Sequence, residues 1–150
     1  MLQEGKALPP FKLVGDDGNT YQKKDFTGKK LVIFVYPKDM TPGCTQEACD
    51  FRDNKARITK KGAQVVGLSK LDERSKVKFK EKHDLNYLLL ADPEQTYLDK
   101  LGLIKDKNMY GKKVKGIERT TILVDEAGKV VKIWPKVKVN GHVDEVLAEL

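Results

Sequence analysis

Residues 31–49 read LVIFVYPKDMTPGCTQEAC, and this stretch decides the fold. Leu31 to Tyr36 is an unbroken apolar run rich in β-branched and aromatic side chains. That is the pattern of a strand covered on both faces, as in a sheet flanked by helices. Pro37 has no N–H and stops the pairing. Thr41 and Pro42 then read as the N-cap and first residue of a helix. Downstream, Ala48, Phe51 and Ile58 fall on one face at 3.6 residues per turn. The order is buried strand, turn, helix, with Cys44 in the helix's first turn. Backbone N–H groups there lack intrahelical partners and the helix dipole favours negative charge. The thiolate is the nucleophilic form of cysteine, so the position suits a reactive thiol. Gly43 lets the backbone come close to a ligand. A small buried hydrophobe is the competing role for Cys44. The Thr-Pro-Gly turn before it and a second cysteine five residues later argue for the nucleophile.

The spacing to Cys49 has a geometric consequence. In an intact α-helix, positions i and i+5 differ by ~140° of rotation and ~7.5 Å of rise, which puts the Cα atoms roughly 8.6 Å apart. A disulfide needs them within about 7 Å. Cys44 and Cys49 therefore bond only if the first turns unwind. The alternative is an inert Cys49 buried beside Ala56.

Outward from this segment, Ala63–Leu68, Tyr87–Ala91, Thr120–Val124 and Val130–Trp134 read as further strands. The last two are joined by a short loop containing Gly128. An N-terminal hairpin is expected around Asp16–Asn19, between Phe11–Val14 and Thr20–Gln22. Asp92-Pro93 reads as an N-cap and first helical residue, with Leu98 and Leu101 facing inward. Val143, Val146, Leu147 and Leu150 mark a closing amphipathic helix. Arg74–Lys82 is charged and weakly periodic, so it reads as a surface helix. Ile104–Gly116 is polar and reads as a mobile loop in which Met109 and Tyr110 are candidates to line an entrance. Alternating helices and strands with a late hairpin predict an α/β sandwich on a mixed sheet.

Length and composition bound the rest. The chain has 150 residues, which suits one domain spanning 1–150. The net charge is +7, but lysine pairs such as Lys23–Lys24, Lys29–Lys30 and Lys60–Lys61 are scattered among acids. A soluble lysine-rich surface is expected, not nucleic-acid binding. No apolar run approaches the ~20 residues of a membrane span, and the N-terminal MLQEGKALPP has no signal-peptide core. A cytoplasmic location follows as the expectation. In a reducing compartment a cysteine pair reads as catalytic or redox-sensing. His83 and His142 lack metal-ligand spacing to the cysteines, so no metal is expected.

The stretch YPKDMTPGCTQEACDFRDN closely resembles the active-site segment of the Q-type peroxiredoxins, also called bacterioferritin comigratory proteins. The likeness extends through GKALPPFKL, DDGNTYQKKDFTGKKLVIFVYP and GIERTTILVDEAGKV, nearly the whole chain. The P-x-x-x-T-x-x-C motif appears as Pro37, Thr41 and Cys44, and the C-x4-C spacing points to one branch. The resemblance implies a thioredoxin-like fold. It matches Cys44 with the peroxidatic cysteine and Cys49 with the resolving cysteine. Thr41 matches the hydroxyl that contacts thiolate and peroxide, and Pro37 the residue that shields the pocket. Arg119 matches the arginine that holds the thiolate and polarises the peroxide. Gly43 and Glu47 join Thr41 and Arg119 as candidate substrate-binding residues; Glu47 is either an orienter of Arg119 or a solvated helix acid. The activity implied is reduction of hydrogen peroxide and organic hydroperoxides through a sulfenic acid and a Cys44–Cys49 disulfide, reopened by thioredoxin or a similar dithiol. No cofactor is implied, and the branch is often monomeric. The likeness is weakest over LGLIKDKNMYGKKVK. The competing function is a thiol–disulfide oxidoreductase acting on proteins, although such enzymes usually carry C-x-x-C.

Overall fold

Alternation along one strand builds the two halves of the core. In β3 (Lys30–Val35), Leu31, Ile33 and Val35 point to one face of the sheet and pack with Leu68, Leu90, Leu98 and Leu101. Val32, Phe34 and the following Tyr36 point to the other and pack with Ala48, Phe51, Phe79 and Val146. Successive side chains leave a strand on opposite faces, so a run apolar at every position is what a doubly covered strand requires. Burying each large apolar side chain contributes roughly 1.5–3 kcal/mol.

The computed structural model describes residues 2–150, apart from the side chains of Lys107 and Met109. The N-terminal hairpin pairs β1 (Lys12–Gly15) with β2 (Thr20–Gln22). After β3 come α1 (Pro42–Lys60), β4 (Ala63–Ser69), α2 (Glu73–His83), β5 (Leu88–Ala91) and α3 (Thr96–Lys100). The chain ends with β6 (Ile104–Met109), β7 (Lys112–Ile117), β8 (Thr120–Val124), β9 (Val130–Trp134) and α4 (His142–Glu149). A seven-stranded sheet has the order β2-β1-β5-β4-β3-β8-β9. Strands β3, β4 and β5 run parallel, whereas β8 lies antiparallel to β3 and β1 antiparallel to β5. This is the predicted mixed sheet with an N-terminal hairpin. Helices α1 and α4 touch each other on one side of it.

Three expectations need correction. The helix foreseen from Pro93 begins only at Thr96. Pro93 and Glu94 form a turn, Gln95 adopts φ 60°, and Asp92 Oδ2 instead accepts a hydrogen bond from the Leu98 N–H at 2.8 Å. The carboxylate thus satisfies a helix-start N–H from outside the helix, which a linear capping pattern does not show. The segment expected as a mobile loop, Ile104–Gly116, is largely the two-stranded ribbon β6–β7, turning at Tyr110-Gly111. Both turn residues have positive φ, the geometry of a tight hairpin. Cross-strand pairing overrides the polar composition there. Tyr110 is fully exposed at its tip; the Met109 side chain lies outside the described residues. Helix α2 exists as foreseen but is not merely a surface helix, because Lys76 and Phe79 are completely buried.

Candidate active site

The register between β3 and β8 assembles the site. Val35, the last residue of β3, pairs with Thr120, the first of β8. The segment after β3 and the residue before β8 therefore lie at the same end of the sheet. The first carries Cys44 on the opening turn of α1, and the second is Arg119. They are 75 positions apart in sequence. The location is the carboxyl end of the parallel strands, where α/β sheets form their crevices.

Arg119 bridges two groups from α1. Its Nη2 donates to Cys44 Sγ at 3.2 Å, and its Nη1 donates to Glu47 Oε1 at 2.7 Å. Cys44 and Glu47 are three residues apart and so share a helix face. Both are 1% exposed, while the Arg119 side chain keeps 18% exposure. The guanidinium thus forms the outer wall over a buried sulfur. An ideal Cβ on Gly43 would sit 3.3 Å from Arg119 Nη2. The missing side chain at position 43 leaves room for the cation, a tighter reason for glycine than approach of a ligand.

Glu47 is no solvated helix acid. Burial raises its carboxyl to about 7, against the opposing pull of Arg119. Its Oε2 is buried without a hydrogen-bond partner, which is costly for a carboxylate. The same environment acts on Arg119, where Glu47 and Cys44 together outweigh desolvation and hold the guanidinium above its ordinary value.

Thr41 is the N-cap of α1, as expected, with extended φ and ψ of −81° and 152°. Its side chain does not cap the helix. The hydroxyl donates to the Lys38 carbonyl at 2.9 Å and so closes the turn before the helix. Pro37 is half-buried at the start of this turn. Cys49 lies further along the unbroken α1, half-buried, with burial raising its thiol. Both cysteines are free. The structure brings Cys44, Glu47, Gly43 and Arg119 into one cluster and leaves Cys49 outside it on the same helix.

A depression of ≈ 590 Å3 adjoins Arg119, lined also by Lys105, Asp106, Glu118, Lys136 and Val137. Sequence reasoning missed Lys105 and Lys136 because β6 and the segment after β9 meet Arg119 only in the folded chain. It also missed a buried polar cluster of Tyr36, Asp39, Ser69 and Lys76. The one available signal was that Lys76 and Phe79, three apart, share a helix face. The histidines lie elsewhere: His142 Nε2 meets Thr121 Oγ1 at 2.7 Å, and His83 packs edge-on against Phe79. Among the described residues no group of three or more His, Cys, Asp or Glu side chains is placed to hold a metal, and no helix is long and apolar enough to cross a membrane.

Comparison with known proteins shows the family. The sequence profile of the AhpC/TSA family matches residues 5–133. Peroxiredoxin Bcp of Bacillus subtilis is 44% identical over 149 residues, covering 99% of this chain and 95% of the relative. The structure of Xanthomonas campestris peroxiredoxin Q superposes with a TM-score of 0.88 at 41% identity, over 93% of this chain and 88% of that one. A second structure, of the Xanthomonas campestris bacterioferritin comigratory protein, gives a TM-score of 0.91 at 38% identity, over 98% and 96%. That protein was described for its alkyl peroxide reduction activity.

Proposed function

Because the chain belongs to the AhpC/TSA family, as a peroxiredoxin of the Q-type or bacterioferritin comigratory protein branch, we propose that its thiol peroxidase activity is carried by Cys44, with Arg119, Thr41 and Pro37 shaping the peroxide site and Cys49 resolving. The fold is thioredoxin-like. Peroxides are the substrates and a thioredoxin-type dithiol is the reductant, as for the family. The reading takes residues 1–150 as one domain acting as a cytoplasmic monomer without nucleic-acid partners.

The observation that carries the residue assignment is the Arg119 guanidinium, 3.2 Å from Cys44 Sγ and tied to Glu47. In this scheme the Cys44 thiolate attacks the terminal oxygen of R–O–O–H. An S–O bond forms, the O–O bond breaks, and the electron pair leaves on RO⁻, which takes a proton to become water or alcohol. Cys44 is left as the sulfenic acid. Charge grows on the departing oxygen, so a fixed, permanently charged donor already aimed at the site lowers the barrier. Arg119 is such a donor. Gly43 admits it and Glu47 holds its far end. Next, Cys49 attacks the sulfenic sulfur, water leaves, and the Cys44–Cys49 disulfide forms after the opening turns of α1 unwind. A dithiol partner reopens it by exchange.

The same geometry weighs against an oxidoreductase for protein disulfides. Cys44 is 1% exposed, too deeply buried for the disulfide of a protein partner to meet while α1 is folded. The deciding experiment follows peroxide-dependent oxidation of thioredoxin by the wild type and by Cys44→Ser. Loss of all turnover in the variant is expected. Normal turnover without Cys44 would refute the assignment.

A further inference from the structure

Beneath the turn that leads into α1 lies a buried polar cluster. Asp39 is 3% exposed and Lys76 is 0% exposed. Lys76 Nζ lies 3.1 Å from Asp39 Oδ2 and 3.3 Å from Oδ1. Oδ2 also accepts from the Ser75 hydroxyl at 2.7 Å, and Oδ1 from the Tyr36 hydroxyl. Lys76 Nζ further contacts the hydroxyl of Ser69, at the end of β4, and stands over the Tyr36 ring at 5.1 Å. Both oxygens of the buried carboxylate are thus engaged, and the cluster joins β4, α2 and the residue that follows β3 to the turn 37–41. One of its members, Asp39, belongs to that turn.

The turn needs holding. Met40 has φ 68°, a left-handed conformation that L side chains rarely adopt and that persists only when its surroundings over-determine it. The residue before Met40 is the one locked by Lys76. The residue after it is Thr41, which occupies the N-cap position of α1 and donates its hydroxyl to the Lys38 carbonyl across the turn. The cluster is also near the reacting sulfur: Cys44 packs in the same apolar cluster as Tyr36 and Phe79 and lies within electrostatic reach of Lys76. A buried ion pair is weak evidence for stability, since desolvation offsets most of its attraction. Its fixed geometry is the more telling property.

We propose that Asp39 and Lys76 are positioning residues for the peroxide step: the buried pair clamps the strained turn 37–41 and so fixes Thr41 and the opening of α1 around Cys44. This rests on the peroxidase reading given above. The opening turns it holds are the ones that unwind for resolution, so loosening the clamp slows attack on the peroxide without slowing closure of the disulfide.

The experiment separates the two steps by stopped-flow, timing sulfenic acid formation with hydrogen peroxide and then its intramolecular condensation with Cys49. Asp39→Asn and the charge-neutral pair Asp39→Asn with Lys76→Met are expected to slow sulfenic acid formation roughly 10–100-fold, the scale of a misplacement of about 1 Å. Condensation should not slow, because the turns that unwind for it are held less tightly. A folded variant that keeps its peroxide rate, or that slows both steps equally, overturns the proposal. If neither variant folds, Ser75→Ala removes one donor from Asp39 and leaves both charges paired. It should slow the peroxide step about fivefold, the worth of roughly one ordinary hydrogen bond, and an unchanged rate there also overturns it. Wild-type protein that consumes no peroxide would instead refute the peroxidase reading, and this assignment with it.

Discussion

Replacing Glu47 with glutamine should stabilise the protein at alkaline pH although it breaks an ion pair. In the folded chain burial lifts this carboxyl from 4.5 to about 7. Between those values the folded state binds more protons than the unfolded one, so stability falls as pH rises. The loss begins near pH 4.5 and is complete above about 7. At 1.36 kcal/mol per pH unit it amounts to ~3 kcal/mol. Glutamine cannot ionise and escapes that loss. Its amide would inherit the place of Oε2, which has no partner, at a cost of about 1–3 kcal/mol. The net expectation for Glu47→Gln at pH 8 is therefore a gain of ~1 kcal/mol, and at pH 5 a loss of similar size. The assay is urea unfolding of the reduced protein from pH 4.5 to 8.5, comparing the two stability curves. Peroxide turnover should fall at the same time, because Arg119 loses the charged partner that holds Nη1 at 2.7 Å. Curves that run parallel across pH 5–8 would refute the reasoning, because they would mean that Glu47 titrates normally in the folded state.

The remaining predictions concern α1 and its first turn. Cys49→Ser should react once with peroxide at near wild-type rate and then turn over poorly with thioredoxin, measured by single-turnover and steady-state assays. Hydrogen exchange of amides 44–50 should accelerate once the Cys44–Cys49 disulfide forms, read by mass spectrometry. Unchanged protection in a verified disulfide would sink the unwinding step. Gly43→Ala should lower kcat/KM for peroxide, because its Cβ would press on Arg119 Nη2 from 3.3 Å. The same substitution should raise the melting temperature slightly, since alanine favours a helix over glycine by about 1 kcal/mol.

Much of the fold was legible because its signals are local. The strands at Thr120–Val124 and Val130–Trp134 were foreseen to the residue, and the strand at Leu31–Tyr36 to within one position. Each is a dense apolar run bounded by turn residues. Where partners lie far off in sequence, the reading failed. Lysines and glycines at 104–116 looked like a loop because pairing between β6 and β7, not composition, makes that ribbon. Lys76 looked like one more surface lysine because its partner, Asp39, is 37 positions away. Glu47 left two roles open, since α1 alone does not say what lies over its first turns; Arg119, brought there by β8, makes the contact.

The sequence by itself determined where the Cys44 thiol sits and what constrains it. A thiol on the first turn of a helix behind Thr-Pro-Gly, and a second thiol five residues on, follow from local geometry alone. Only the tertiary structure decided what surrounds that thiol. The antiparallel register of β8 on β3 delivers Arg119 to the sulfur, and the packing of α2 under the turn buries Lys76 against Asp39. Helix starts are written by neighbouring residues, whereas the charges that face a buried atom are chosen by which strands and helices lie side by side.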